Sequence, residues 1–256
     1  MRIATWNVNS IKVRLPQVLE WLEREDIDVL ALQETKATDE MFPWAAVEEA
    51  GYHAVATGQA TYNGVALLSR REIECVTKEN PQFPDPQRRI LGATVGGLRV
   101  INVYVPNGQS PDSDKFAYKL AWLSALQEWL AAELAEHRNL VLLGDFNIAP
   151  ADADVYDPEG LAGQIHCTTE ERQALAAIQG LGMTDAFRVF EPESGYYSWW
   201  DYRAAAFRRN RGLRIDLILA SVPVVSRLAG CQIDVVPRRN ERPSDHAPVV
   251  ATLNGD

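Results

Sequence analysis

The chain has 256 residues, a formal net charge of −10 and a hydrophobic content of 46%. This hydrophobic content predicts a substantial buried core, and no segment approaches the roughly 20 consecutive apolar residues of a membrane-spanning helix. The acidic balance argues against a protein that coats DNA non-specifically, because phosphate backbones favour basic partners. It does not exclude a nuclease in which clustered carboxylates hold a cation and only a local rim is basic.

The three cysteines Cys75, Cys167 and Cys231 are odd in number and widely spaced. This pattern indicates reduced thiols rather than a disulfide framework or a zinc site. The segment MRIATWNVNS enters a strand-like pattern directly and lacks the apolar core of a signal peptide. We therefore expect a cytoplasmic protein without membrane association.

Short apolar runs rich in Val, Ile and Leu predict buried strands. In chain order they are Arg2–Asn7, Asp28–Gln33, Val65–Ser69, Val100–Val105, Leu140–Gly144, Ile215–Ala220 and Pro248–Leu253. Leucine spacing predicts a helix in VRLPQVLEWLERED and a longer one from about Phe116 to His137. Thr168 and Glu171 resemble a capping box that opens a third helix. Because strands and helices interleave without a linker, residues 1–256 are expected to form one α/β domain.

Acidic and amide side chains recur where the predicted strands end. The positions concerned hold Asn7, Asn9, Glu34, Lys36, Tyr104, Asn107, Asp145, Asn147, Asp216, Asp245 and His246. A single strand-end aspartate is usually a cap or a turn residue, but six strand ends of the same character are hard to explain by capping. We therefore expect these side chains to converge at one rim of a sheet.

A set of carboxylates and carboxamides without cysteine suits Mg²⁺ or Mn²⁺ better than zinc. Phosphodiester hydrolysis requires charge neutralisation, an aligned water and a stabilised leaving group. We expect Glu34 to ligate the cation, and Asp145, beside Asn147, to orient or deprotonate the water. Asn7 and Tyr104 would donate hydrogen bonds to the phosphate, and Asp216 would keep His246 charged toward it.

The strings TWNVNS, LQETK, YVPN, GDFN, SWWDYR, NRGLRIDLILAS and PSDHAPV, in this order, closely resemble the exodeoxyribonuclease III and AP endonuclease family. GDFN and SDH also recur in the wider superfamily with DNase I, whereas the combination with SWWDYR and NRGLRID is specific to the DNA-repair branch. The resemblance covers essentially the whole chain. It implies a DNase I-like, four-layer α/β sandwich in which two face-to-face sheets lie between helices.

The same resemblance implies an Mg²⁺-dependent hydrolase, with Mn²⁺ able to substitute, that acts as a monomer on double-stranded DNA with blocked 3′ ends or abasic sites. It implies catalytic roles for Tyr104, Asp145, Asn147, Asp216, Asp245 and His246. Cation ligation falls to Asn7, Glu34 and Asp245, and DNA contact to Asn107. Which of the three aspartates contacts the cation, and how many cations bind, stays open.

The segment GYYSWWDYRAAAFRRNRGLR explains how an acidic protein holds DNA, since arginines reach phosphates and aromatic rings pack on sugars or bases. Its candidates are Trp199, Trp200, Arg203, Arg208, Arg209, Arg211 and Arg214, and Arg238, Arg239 and Arg242 extend the same rim. Either tryptophan is equally well a core residue, because adjacent strand residues face opposite ways. Lys36 and Lys119 are weaker candidates for phosphate contact.

His166 and Cys167 stand where the family commonly carries a small residue followed by an aromatic one. An imidazole at this loop position narrows the space beside the scissile nucleotide, although a tolerated surface change is an equal alternative. The sharper hypothesis is that His166 obstructs an extruded abasic sugar while a frayed 3′ end still enters.

The preferred interpretation is therefore a 3′-end-processing enzyme, namely a 3′–5′ exonuclease, 3′-phosphatase and 3′-phosphodiesterase, with AP endonuclease activity in doubt. A full AP endonuclease is the alternative. A phosphatase acting on a small molecule or a lipid head group is disfavoured, because such an enzyme would have no use for the arginine and aromatic segment. An inactive DNA-binding module would not need the intact acids and histidine.

Overall fold

The computed structural model describes residues 1–255, which contain twelve strands and six α-helices. The strands are β1 Arg2–Asn7, β2 Val29–Gln33, β3 His53–Thr57, β4 Val65–Ser69, β5 Glu74–Thr77, β6 Ile90–Val95, β7 Leu98–Tyr104, β8 Leu140–Asp145, β9 Met183–Asp185, β10 Asp216–Ser221, β11 Leu228–Ile233 and β12 Val249–Leu253. The helices are α1 Ile11–Glu25, α2 Trp44–Glu49, α3 Asp114–Glu136, α4 Thr169–Gln179, α5 Ala186–Phe190 and α6 Val222–Val225. All seven predicted strands are present, with ends that differ by up to two residues.

The strands form two six-stranded sheets, in the orders β11-β12-β1-β2-β4-β3 and β5-β6-β7-β8-β10-β9. Each sheet has one parallel pair, β1 with β2 and β7 with β8, and its other pairs are antiparallel. Helix α1 connects the first parallel pair and α3 connects the second, as a parallel connection requires. The carboxyl ends of all four central strands lie at one edge of the sandwich.

Side-chain alternation along the strands builds the layers. In β1, Ile3 packs into the core between the two sheets, whereas Ala4 and Trp6 face the outer helix α1. On the second sheet, the outward-facing residues pack against α3 and α4. Because both faces of each sheet are covered, the central strands are continuous apolar runs. The predicted four-layer sandwich is confirmed.

A small polar network joins the two sheets inside the apolar core. The Gln33 amide donates to the Thr5 hydroxyl at 2.9 Å and to the Asn102 side-chain oxygen at 2.8 Å. Asn102 in turn donates to the main-chain oxygens of Leu32 and Ala66, at 3.0 and 2.9 Å. Asn102 belongs to the second sheet and its partners to the first, so these bonds fix one sheet relative to the other.

Within residues 1–255, none of the helices combines the length and the apolar character that crossing a bilayer would require.

Candidate active site

The predicted convergence of strand-end residues is observed, and both sheets contribute to it. The first sheet contributes Asn7 at the end of β1, Glu34 just after β2, and Asp245 and His246 just before β12. The second sheet contributes Tyr104 at the end of β7, Asp145 at the end of β8 with Asn147 two residues later, and Asp216 at the start of β10. Asp216 lies directly opposite Asp145 in the antiparallel register of β8 and β10. The site therefore forms only where the two sheets meet.

Asn7 links the acids of the two sheets. Its amide nitrogen donates to Glu34 Oε1 and to Asp145 Oδ2, both at 2.9 Å, and its oxygen accepts from the main-chain N–H of Asn9 at 3.0 Å. The Lys36 ammonium lies 2.9 Å from Glu34 Oε2 and also donates to the Asn9 side chain. The amide N–H groups of Asn7 therefore point toward Glu34 and Asp145, and the positive charge of Lys36 balances part of the negative charge of these carboxylates.

Asp145 follows Gly144, a position at the end of β8 where only glycine fits. Gly144 has φ +146°, and a Cβ there would lie 1.9 Å from the main-chain oxygen of Val103, which explains the glycine of GDFN. Asp145 Oδ1 accepts from the Asn147 N–H at 2.9 Å. Burial, only partly offset by His246, raises the pKa of Asp145 to about 7. This carboxyl is thus poised to exchange a proton near neutral pH.

His246 is oriented and charged by two aspartates. Its Nδ1 lies 2.9 Å from Asp216 Oδ2, and its Nε2 lies 3.8 Å from Asp145 Oδ2. Burial opposes the positive charge of the ring, but Asp216 and Asp145 outweigh it and raise the pKa of His246 to about 10. The predicted pairing of Asp216 with His246 is observed, and Nε2 carries a proton directed into the site.

Asp245, although next to His246 in sequence, has different partners. Its Oδ1 accepts from the Asn9 amide and its Oδ2 from the Trp199 indole N–H, each at 3.0 Å. Burial works against its charge, but His246 and these two hydrogen bonds outweigh it and lower the pKa of Asp245. Asp245 is therefore ionised at the rim, and its catalytic and ligand roles stay predictions.

Tyr104 borders a cleft of about 680 Å³ that adjoins Glu34. Burial and the nearby acids Glu34 and Asp145 raise the pKa of Tyr104 well above its usual range, so its hydroxyl keeps a proton to donate. The Arg89 guanidinium lies 4.6 Å from the centre of the Tyr104 ring. The sequence analysis assigned no role to Arg89. Arg89 lies within the polar segment 80–89, and loops of this length in compact domains are often functional, so the segment length is the signal that could have indicated it.

His166 lies inside the site rather than on the surface. Its Nδ1 is 2.6 Å from the main-chain oxygen of Asn147; a carbonyl only accepts, so Nδ1 carries the proton. Its Nε2 faces the Asn107 amide at 3.5 Å, and its ring centre is 6.4 Å from that of Trp199. Burial, with the charge of Lys119, lowers the pKa of His166 to about 4. A neutral imidazole thus occupies the space between Asn147 and Trp199.

The prediction that Lys119 contacts phosphate is wrong, because its ammonium is completely buried. It donates to the main-chain oxygens of Asn107 and Asn147, at 3.1 and 2.7 Å, and to the Glu171 carboxylate. All three donors of the ammonium are used inside the protein. Lys119 therefore stabilises, from inside the protein, the two loops that carry Asn107 and Asn147.

Three further residues assigned to the DNA rim are also buried, and those predictions are wrong. Trp200 is 2% exposed and its indole donates to Asn210, so of the two adjacent tryptophans it is the core residue. Arg214 is 1% exposed and forms ion pairs with Asp154 and Asp185. Arg238 is 6% exposed and packs under the aromatic loop. Each is surrounded by protein partners and is not accessible to a phosphate.

The other rim candidates are on the surface. Arg203, Arg208, Arg209 and Arg211 are exposed, and Arg203 pairs with the neighbouring Asp201. Trp199 is partly exposed beside His166, and Asn107 is exposed at the cleft. Their contacts with DNA stay predictions that fit an accessible basic rim.

The acid cluster suits a hard divalent cation. Glu34, Asp145 and His246 each offer a ligand atom, and these atoms lie within 4.8 Å of one another. The raised pKa of Asp145 indicates a buried charge that a cation would compensate. Because Nε2 of His246 is protonated, the carboxylates are the fitting ligands and the imidazolium is a hydrogen-bond donor. Oxygen ligands of this kind favour Mg²⁺ or Mn²⁺ over zinc.

Residues 4–246 match the profile of the Endonuclease/Exonuclease/phosphatase family. The chain belongs to this family. Among similar proteins, exodeoxyribonuclease III of Haemophilus influenzae is 35% identical over 98% of this chain and 99% of that relative. Among solved structures, the Neisseria 3′ phosphatase NExo bound to a product DNA hairpin is 51% identical with a TM-score of 0.99. An AP endonuclease from Archaeoglobus fulgidus is 40% identical with a TM-score of 0.96. Each structure is covered over 100% of both chains.

Membership of the endonuclease/exonuclease/phosphatase family confirms the resemblance drawn from the sequence motifs. The chain is a hydrolase of the exodeoxyribonuclease and AP endonuclease type, from a family of metal-dependent DNA-repair nucleases. The acids that converge at the junction of the sheets supply the ligands that such an enzyme requires.

Proposed function

We propose that the chain is an Mg²⁺-dependent phosphodiesterase that removes nucleotides, phosphates and other blocking groups from DNA 3′ ends, with Mn²⁺ able to substitute. The observation that carries the proposal is the neutral His166 ring between Asn147 and Trp199, beside a complete phosphodiester site. A terminal phosphate needs little room beyond the reacting atoms, whereas an extruded abasic sugar needs space next to them.

The roles follow from the geometry. Asp145, whose Oδ1 accepts from the Asn147 N–H and whose Oδ2 lies 3.8 Å from His246 Nε2, accepts the proton of the attacking water. The His246 imidazolium and the neutral Tyr104 hydroxyl donate to phosphate oxygens and stabilise the charge that develops on them. When bound by Glu34 and its neighbours, a divalent cation supplies further charge neutralisation. Water adds to phosphorus as one of its protons passes to Asp145, and the bond between phosphorus and the 3′ oxygen breaks. The leaving 3′ oxygen takes up a proton from solvent water and becomes the 3′-hydroxyl.

Full AP endonuclease activity, with incision 5′ to abasic sites, is the second candidate. It is supported by the 40% identity to the archaeal AP endonuclease. The 51% identity to a 3′ phosphatase with product DNA supports the first candidate. We further propose that the protein acts on double-stranded DNA as a monomer in the cytoplasm, to which its free cysteines are suited.

A nicked duplex that carries a 3′-phosphate tests the proposal. With Mg²⁺ we expect release of phosphate, and with EDTA we expect none. An internal abasic duplex, incubated in parallel, is expected to be incised more slowly by at least roughly tenfold. Unchanged 3′ ends in Mg²⁺ contradict the catalytic proposal, and equal rates on both substrates favour the full AP endonuclease.

Replacement of His166 by glycine tests the obstruction directly. His166 has φ +73°, a conformation that glycine adopts without strain, so His166→Gly opens space without distorting the loop. We expect abasic incision to rise at least about tenfold, a gain of roughly 1.4 kcal/mol in transition-state binding. The 3′-phosphatase rate of the same variant is the control. Unchanged abasic incision would show that His166 does not set the substrate preference.

A further inference from the structure

Arg238 lies in a 3₁₀ turn between β11 and β12, under the aromatic loop 199–211. Its guanidinium is 4.9 Å from the centre of the Phe207 ring, 5.7 Å from that of Tyr202 and 5.8 Å from that of Trp200. Contact with three aromatic rings is an arrangement that a planar guanidinium makes well and an ammonium does not. One buried cation therefore supports three residues of the exposed, arginine-rich loop.

The same guanidinium contacts the catalytic segment on its other side. Its Nη1 donates to the main-chain oxygen of Ser244. The Ser244 hydroxyl donates to the main-chain oxygen of Asn7 at 2.7 Å and accepts from the His246 N–H at 3.2 Å. Three hydrogen bonds, all made by Ser244, thus connect Arg238 with the backbone of Asn7 and of His246.

The position of Arg238 is energetically unfavourable for a merely structural cation. Its Nε is buried without a hydrogen-bond partner, and within residues 1–255 the guanidinium forms no ion pair with a carboxylate. Burial lowers its pKa despite the nearby Tyr202 and Asp245. A buried cation with an unpaired donor adds little stability, so its presence is better explained by the arrangement of neighbouring groups that it fixes.

We propose that Arg238 is a positioning residue that holds the DNA-binding loop 199–211 and the catalytic backbone at Asn7 and His246 in one fixed arrangement. The inference rests on the proposed hydrolysis of DNA. It differs from the rim prediction, in which Arg238 touches phosphate. A positioning role affects the turnover of bound DNA, since small misplacements of reacting groups are costly. A phosphate contact affects the affinity and its salt dependence instead.

The test compares kcat and KM of the full-length wild type, Arg238→Lys and Arg70→Lys on a nicked duplex with a 3′-phosphate. Lysine keeps the charge at position 238 but not the planar face, and we expect kcat to fall about tenfold to hundredfold. The slope of log KM against log salt is expected to stay unchanged. Arg70 is the matched control, because its guanidinium also lies over a ring, 5.5 Å from Tyr52, at the opposite edge of the first sheet.

A second variant, Phe207→Leu, removes one supporting ring without changing any charge, and we expect a smaller loss of kcat in the same direction. Circular dichroism and thermal melting establish that the variants are folded. Wild-type kcat in folded Arg238→Lys, or in Phe207→Leu, overturns the inference. A shallower slope of log KM against log salt in Arg238→Lys, with unchanged kcat, also overturns the inference, because it identifies Arg238 as a phosphate contact. An inactive wild type contradicts the proposed function instead.

Discussion

At the scale of single residues, Asp145 illustrates how the fold sets a chemical role. Its carboxyl is buried at the junction of two sheets, beside a second carboxyl on Asp216 and an imidazolium on His246. Burial has the largest effect and brings its pKa to about 7. A solvent-exposed aspartate at the same sequence position would be ionised far below neutral pH and would be a weaker base.

Replacement of Asp145 by asparagine tests this role. The amide keeps the size of the side chain but neither accepts the proton of water nor carries charge. We expect kcat for 3′-phosphate release to fall by at least about 10³-fold, as for other members of interdependent catalytic sets. Single-turnover kinetics measure the loss, and an unchanged circular dichroism spectrum is the control. A loss under tenfold would exclude Asp145 as the base.

His166 gives a pH-dependent stability with a definite sign. The folded ring has a pKa of about 4, whereas an unfolded histidine has a pKa of about 6.5. Between these values the unfolded chain binds a proton that the folded chain does not. The contribution is therefore fully present above about pH 6.5 and is lost as the pH falls toward 4, by up to roughly 3 kcal/mol.

Urea unfolding of the wild type and of His166→Asn at pH 7.5 and pH 4.5 measures this effect. Asparagine preserves an N–H near Nδ1 and tolerates φ +73°, but it does not titrate. We expect the wild type to lose more stability than the variant on acidification. Equal losses in the two proteins would mean that His166 is not held neutral.

At the scale of elements, a buried ion pair joins helices α3 and α4. Lys119 of α3 contacts Glu171 of α4, and both side chains are 0% exposed. Glu171 also accepts from the Thr168 hydroxyl, at 2.7 Å, and from the His166 N–H, at 3.1 Å. The capping box of α4 therefore connects a helix start with the loop that carries His166.

Replacement of Lys119 by methionine would leave the Glu171 charge buried and unpaired. We expect a loss of roughly 3–5 kcal/mol in the free energy of unfolding, measured by urea denaturation. The double variant Lys119→Met/Glu171→Gln removes both charges and is expected to recover at least half of that loss. The salt dependence of KM in folded Lys119→Met should equal that of the wild type. A shallower slope would restore Lys119 as a phosphate contact.

Elements differ in how well the sequence predicts them, for physical reasons. The central strands are covered on both faces, so their apolar runs identify them. The edge strands β3, β5, β9 and β11 are short or have exposed polar positions, and none of them is among the seven predicted strands. The strand β6 was missed although its residues are mostly buried. The capping box that opens α4 was predicted and is present.

The site was largely predictable because its residues follow strands whose ends share one edge. Sequence alone does not show which cations are buried, since burial depends on partners far away in the chain. Lys119 meets Glu171, 52 residues later, and Arg214 meets Asp154, 60 residues earlier. For the same reason the pattern of alternating arginines and aromatic residues did not separate the buried Arg214 from the exposed Arg208.

At the scale of the whole molecule, the register between the sheets decides whether a site exists. Asn102 is the side chain that spans the gap, with two bonds to main-chain oxygens of the first sheet and one from Gln33. These bonds lie in the apolar interior, where an unpaired carbonyl or amide is costly. The network therefore favours one alignment of the sandwich over others of similar apolar packing.

Replacement of Asn102 by leucine removes its three hydrogen bonds to Gln33, Leu32 and Ala66. We expect a loss of roughly 2–4 kcal/mol in the free energy of unfolding, together with a lower kcat in the fraction that stays folded. Thr94→Val on the adjacent strand is the control, because the Thr94 hydroxyl is buried without a partner and its removal breaks no bond. An Asn102→Leu protein as stable and active as the wild type would contradict the role of the network.

The strand β1 pairs with β12, and the segment that carries Asp245 and His246 leads directly into β12. The main-chain oxygen of Asn7, at the end of β1, accepts a hydrogen bond from Ser244, which lies 237 residues later in the chain. We therefore expect a nascent chain to gain activity only after residues 244–253 have been synthesised and β12 has paired with β1. A chain that stops before residue 244 lacks Asp245 and His246, and we expect it to be inactive on a duplex with a 3′-phosphate.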